Sequence, residues 1–89
     1  MATTARRVSI NANGSARLDA IDYHGQCELV VVNTGVSPCF VGGADVTADS
    51  GMTIDAGESL RLSLRRGDEL HAVCGSTEST TVEVFEAKW

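Results

Sequence analysis

The sequence predicts an all-β domain, a small antiparallel two-sheet β-sandwich, jelly-roll-like, with about seven or eight short strands. Three observations predict it. Apolar and polar residues alternate with a period of two in several runs, which puts the apolar ones on one face of a pleated strand. Turn signals separate these runs about every ten residues, the spacing of sandwiches and small barrels. No segment carries a helical repeat long enough to cross between parallel strands, so the pairing is antiparallel.

The runs follow in order. Val8 and Ile10 face one way, and Arg7 and Ser9 the other. Asn11-Ala12-Asn13-Gly14-Ser15 is turn chemistry, after which Ala16-Arg17-Leu18-Asp19-Ala20 alternates again. Tyr23-His24-Gly25-Gln26 precedes Cys27-Glu28-Leu29-Val30-Val31-Val32-Asn33. That strand is apolar on both faces in its second half, so it is expected to be covered by a second sheet plus a loop or a neighbouring subunit. Asn33 to Pro38 is read as the turn of a hairpin into Cys39-Phe40-Val41. Gly42 to Gly51 is the longest irregular stretch, opened by Gly42-Gly43. Ala56-Gly57-Glu58 leads into Ser59-Leu60-Arg61-Leu62-Ser63-Leu64, which alternates without a fault, and Arg65-Arg66-Gly67-Asp68 leads out. In Glu69 to Cys74, Leu70, Ala72 and Cys74 point inward. In Thr80 to Ala87, Val82 and Val84 share a face, and Glu83 and Phe85 share the other.

A chain of 89 residues fits one domain. It divides into a basic arm over 1–7 and a sandwich over 8–89. Hydrophobic residues at 43% against 21% charged make it globular rather than disordered. The net charge of −5 argues against a general nucleic-acid binder, and so does the supply of rings, limited to Tyr23, Phe40, Phe85 and Trp89. The distribution says more than the total. Arg6, Arg7 and Arg17 all precede Asp19, the first acid. Either they sit there by chance, or the segment docks on an acidic surface, its own or a partner's. No stretch approaches the roughly 18 apolar residues of a membrane span. The opening residues lack the apolar core of a secretory signal, so synthesis and folding in the cytosol are expected.

The candidate chemistry is sparse. Cys27, Cys39 and Cys74 are odd in number and lie in no C-x-x-C pair, so they read as small buried hydrophobes. With Cys39 opposite Val32 in the expected hairpin, Cys27 lies too far away for a disulfide. His24 and His71 are the two histidines. A cupin-like metalloenzyme needs two or three inward histidines with a carboxylate, and His71 faces outward. Asp45, Asp49 and Asp55 lack the D-x-D-x-D-G density of a calcium loop, and Asp45 and Asp49 read as turn caps. Gly42-Gly43 is no phosphate loop, because no lysine or helix start completes it. No catalytic residues, metal or cofactor are assigned. The candidate contacts are Arg6, Arg7 and Arg17 of the leading segment and Gly42, Gly43, Asp45 and Asp49 of the loop. Arg65 and Arg66 at a turn, and Trp89, an apolar ring at the last position, complete the set.

Four segments together resemble small proteins encoded among the virion genes of tailed bacteriophages. They are Val31-Val32-Asn33-Thr34-Gly35, Val41-Gly42-Gly43-Ala44-Asp45-Val46-Thr47, Ala56-Gly57-Glu58-Ser59-Leu60 and Leu70-His71-Ala72-Val73. The similarity runs from about Leu29 to Glu86 and rests on the order and spacing of common turn chemistry. The chain departs from the pattern in Cys39 and Cys74, where small apolar residues are usual, and in His71, where an aromatic is common. The resemblance implies a virion structural protein and no enzyme. It would decorate and stabilise the outside of the capsid, with major capsid protein subunits and its own homotrimer as partners. The alternative it leaves is a receptor- or glycan-binding module of a tail or head fibre.

Overall fold

A computed structural model describes residues 2–12, 14–19, 25–65 and 67–88. Among them run eight strands: β1 (Ala2–Ile10), β2 (Ser15–Arg17), β3 (Gln26–Asn33), β4 (Cys39–Gly42), β5 (Met52–Ile54), β6 (Ser59–Arg65), β7 (His71–Val73) and β8 (Thr80–Lys88). They form two four-stranded sheets, β1-β8-β3-β6 and β2-β7-β4-β5, in which all pairings are antiparallel. Of the consecutive strands, β4 and β5 alone pair directly. All other connections cross between sheets, the double Greek key of a jelly roll.

Alternation builds the core. Ile10 of β1, Leu29 and Val31 of β3, Leu64 of β6, and Val82 and Val84 of β8 are buried on the inner face of the first sheet. Cys39 and Val41 of β4, Ile54 of β5, Ala72 of β7 and the flanking Leu18, Leu70 and Cys74 close it from the second. The two inner faces interdigitate and exclude water, which drives the assembly of short strands that would not persist alone.

Three expectations are corrected. The segment over 1–7 is not an arm, because β1 lies along β8 in register from Ala2↔Lys88 to Ile10↔Thr80. Its backbone amides and carbonyls find partners on β8 that a free arm would have to leave to water. The expected hairpin from β3 into β4 does not form. Asn33 ends β3 by donating its N–H to the Glu58 carbonyl and accepting from Gly57 N–H, and Thr34 and Gly35 both donate to the Thr81 carbonyl. Those bonds steer the chain across to the second sheet, where Cys39 faces Ile54 and not Val32. The third correction is β5, a strand the alternation did not announce. Only Ile54 of its three residues is buried, too little for a period to show.

Two glycines hold special positions. Gly57 has φ +86, the left-handed region that favours glycine, in the turn closed by Glu58 N–H to the Asp55 carbonyl. At Gly35 a Cβ would overlap the Thr80 hydroxyl and stand 2.8 Å from Thr81 N.

Candidate interaction surface

Functional groups on this fold lie inside the sandwich, at its ends or on its outer faces. Inside, two polar constructions interrupt the apolar core. At one end, fully buried Asn33 uses its whole side chain. Nδ2 donates to the carbonyls of Ser37 (2.8 Å) and Ile54 (2.9 Å), and Oδ1 accepts from Gly35 N–H (3.2 Å) and the Thr80 hydroxyl (2.8 Å). This ties the end of β3 to β5, β8 and the crossing loop, so the N-T-G string is a structural knot.

The second construction explains the basic leading segment. Arg6 shares the inward side of β1 with Val8 and Ile10. It reaches the buried Glu86 carboxylate of β8 at 2.8 Å and donates to the carbonyls of Leu18 and Asp19. Arg17 donates to both carboxylate oxygens of buried Asp19, at 3.0 and 2.9 Å, and Asp19 Oδ1 accepts Leu70 N–H as well. Burial is the largest influence on Asp19 and pushes its carboxyl up. The Arg17 hydrogen bond, the Leu70 amide and the Arg17 charge together outweigh it and hold the group below the usual aspartate value. Arg7, on the outer face of β1, meets Glu83 at 3.3 Å. The three leading arginines thus dock on acids of their own domain.

The other expected contacts are dispersed. The loop after β4 turns twice on itself, through Val46 N–H to the Gly43 carbonyl and Ser50 and Gly51 N–H to the Thr47 carbonyl. Val46 folds back between Gly42 and Gly51, where a Cβ on either glycine would meet its Cγ2 within 2.9 Å. Gly43, Asp45 and Asp49 remain exposed at its rim. Arg65 ends β6 in a turn closed by Asp68, whose carboxylate accepts Arg65 N–H. Arg66 and Trp89, with Tyr23 and His24, lie outside the described residues. The structure therefore does not gather the expected contact residues into one site.

What it does gather is the outer face of the first sheet, which the sequence reading passed over. Phe85 of β8 is 51% exposed at its centre. It stands opposite Ala5 of β1 and Val30 of β3, and Val30 stands opposite Arg61 of β6. The next row is Arg7, Glu83, Val32 and Ser59. An apolar stripe of Ala5, Phe85, Val30 and Val32 thus lies among polar and charged neighbours. The described charges on the strands of this face are Arg7, Arg61 and Arg65 against Glu28 and Glu83, a basic excess of one on a chain of net charge −5, with Arg7 held by Glu83 and Asp68 beside Arg65. The readable signal was a fault in the period of β8. Phe85 takes an outward position and Glu86 an inward one, the reverse of Val82-Glu83-Val84.

The interior offers no assembled chemistry among the described residues. Cys27, Cys39 and Cys74 are buried, as the sequence predicts. Burial pushes the Cys39 thiol up to about 11, helped by the neighbouring Cys74 thiol. Burial also raises Cys74, with the Glu78 charge adding to it. His71 faces outward and bonds Glu69 at 2.9 Å.

No protein-family model matches this chain, and no curated protein does. Solved structures similar to it include the following two. A cupin-2 domain-containing protein from Shewanella frigidimarina superposes with a TM-score of 0.57 at 13% identity, over 93% of this chain and 68% of that one. A protein of the disulfide-linked pili that form Bacillus endospore appendages gives 0.49 at 20% identity, over 97% and 88%. The first likeness shows the fold alone, a two-sheet β-sandwich. A metal in such a sandwich needs imidazoles and a carboxylate converging inward. Apart from the two polar constructions around Asn33 and around Arg6, Asp19 and Glu86, the buried positions here are Ile, Leu, Val, Ala and Cys, and the described residues contain no group of three or more His, Cys, Asp or Glu able to hold a metal. The described residues do not fit one.

Proposed function

We propose that this chain is a virion structural protein that binds the outside of a bacteriophage capsid as a decorating, stabilising subunit, with the major capsid protein as its partner. The observation that carries this reading is the outer face of the first sheet, an exposed apolar stripe centred on Phe85 with a basic excess around it, on a sandwich whose interior is filled. Contiguous exposed apolar surface rimmed by charge is the usual mark of a protein-binding site. The virion-protein resemblance of the segments between Leu29 and Glu86 supplies the kind of partner. Apolar contact would hold the subunit on the shell, and the arginines would seek acidic patches there, so binding weakens as salt rises.

Cosedimentation with phage shells lacking their decoration tests it. The protein is expected in the pellet at low salt and increasingly in the supernatant at high salt, with Phe85→Ser reducing the bound fraction while the fold is kept. A protein that stays in the supernatant at low salt overturns the reading. The glycan-binding alternative draws on the same place, because Phe85 is an exposed ring sharing a strand face with the Glu83 carboxylate. Specific retention on immobilised oligosaccharides, lost in Phe85→Ser, would favour it instead.

A further inference from the structure

An open strand edge presents unpaired amides and carbonyls, and proteins blunt such edges with short strands, prolines, lysines or inward-pointing charges. The second sheet ends in β2 and β5, each three residues long. The first sheet ends in β1 and β6. The inward side of β1 carries the charge of Arg6, committed to Glu86. Among the described residues β6 is seven residues long without proline or lysine, and its charges, Arg61 and Arg65, lie on the outer side of the sheet and not on the inward one. Ser59–Arg65 reads Ser-Leu-Arg-Leu-Ser-Leu-Arg and pairs with β3 in unbroken register from Gln26↔Arg65 to Val32↔Ser59. On its inward side Leu64 is buried, but Leu60 and Leu62 are only half-buried.

We propose that β6 pairs antiparallel with β6 of a second copy of this chain, about a two-fold axis through Leu62. The sequence of the strand is self-complementary in this register. Leu62 faces the partner's Leu62, and Leu60 faces the partner's Leu64, so the half-buried leucines gain apolar neighbours. On the outer side Arg61 faces the partner's Ser63, and these two carry the backbone bonds of the pairing; Ser59 faces the partner's Arg65, whose N–H and carbonyl stay with Asp68. Moving the axis by one residue spoils this. Centred on Arg61, the pairing opposes Arg61 to the partner's Arg61. Centred on Ser63, it opposes Arg61 to the partner's Arg65 twice. Like charges directly opposite destabilise a strand pair, so charge selects the register about Leu62. Axes lying between residues would turn the leucines of one copy toward the outer side of the other.

The result is one sheet running through both copies, in the order β1-β8-β3-β6 and then the partner's four strands in reverse. Such a contact is isologous and closes at two. It therefore differs from the homotrimer that the virion resemblance implies, and it does not depend on the shell-binding reading. Seven residues of edge bury less than the roughly 1,600 Å² of a standard interface, so the dissociation constant is expected in the micromolar range.

Sedimentation equilibrium of the intact chain up to about 0.5 mM tests the pairing against that expected affinity. The mass is expected to rise from 9.3 kDa toward twice that value with concentration. Ser63→Arg, at an exposed outward position, sets two guanidinium pairs against each other across the axis. It is expected to raise the dissociation constant about tenfold, about 1.4 kcal/mol. Adding Arg61→Glu restores opposite charges and is expected to recover the affinity. A monomer throughout, a trimer, or a dimer indifferent to Ser63→Arg overturns the proposal. The rescue by the double variant separates loss of pairing from loss of fold.

Discussion

Replacing Asn33 by alanine should cost about 3 kcal/mol of folding stability, and the figure follows from counting what is left behind. The substitution deletes four side-chain hydrogen bonds. Gly35 N–H keeps a partner, because it also donates to the Thr81 carbonyl. The Thr80 hydroxyl and the Ile54 carbonyl lose the amide that satisfied them, in residues 7% and 2% exposed. A buried polar group left without a partner costs about 1–3 kcal/mol, so two give about 3 kcal/mol after partial relaxation. In a domain this small each kcal/mol moves the melting temperature by about 4–8 °C, so a drop of about 15–20 °C is expected. Urea and thermal unfolding followed by circular dichroism measure it, and a loss below about 1 kcal/mol would refute the account of the knot. Asn33→Asp is the companion test. It keeps the two acceptor bonds but sets a carboxylate oxygen against two carbonyls, and burial raises its carboxyl above the unfolded value near ~3.9. Its stability should therefore be greatest below that value and fall as pH rises through the raised pKa. The deficit of the alanine variant should stay flat over the same range.

Four further outcomes are expected. Gly35→Ala forces a Cβ into the Thr80 hydroxyl and the Thr81 amide, and should cost about 2 kcal/mol or more in the same unfolding assay; a neutral result would mean the loop moves freely. Asp19 is held below its ordinary value, so its contribution is present above the unfolded pKa and lost as pH falls below about 4. Asp19→Asn, which keeps the acceptor for Leu70, should flatten that part of the stability curve, and parallel curves would remove Asp19 as the cause. The three buried thiols, with Cys39 pushed up to about 11, should resist alkylation at pH 7.5 in the native state and react when the chain is unfolded, as read by mass spectrometry. Phe85→Ser should cost only about 1 kcal/mol, because half of the ring is already exposed, and a loss of about 3 kcal/mol or more would mark it as part of the fold rather than of a docking face.

The periodic part of this architecture was legible from sequence. The leucine alternation of Ser59 to Leu64 and the inward set Leu70, Ala72 and Cys74 sit where the pattern put them. The pairing partners were not legible. Asn33-Thr34-Gly35 has the chemistry of a tight turn, and only its bonds to Thr81, Glu58 and Ile54, distant in the chain, turn it into a crossing between sheets. The site suffered from the same locality. Arg6 was legible only as part of a basic arm for docking on an acidic surface, because the acid it meets, Glu86, is eighty residues away. Each breaks the alternation of its own strand, and neither fault makes sense without the other. The alternation already set Phe85 on the face of Glu83, but an aromatic ring is normally counted toward the core, and only the register of β8 against Ala5 and Val30 shows the apolar stripe it belongs to.

The position of β8 has a consequence for the order in which the molecule comes into being. β8 lies between β1 and β3 in the first sheet, although of the eight described strands it leaves the ribosome last. Until Thr80–Lys88 has emerged, β1 has no neighbour in its sheet, and Ile10 and Val31 lack the cover of Val82 and Val84. Vectorial synthesis therefore yields no stable half-domain. The first strand made must wait for the last, and closing that longest loop is an entropic toll due before any contact in the first sheet's centre can reward it. Folding is late and all at once, and a nascent chain stalled anywhere short of β8 presents open strand edges to whatever else is in the cell.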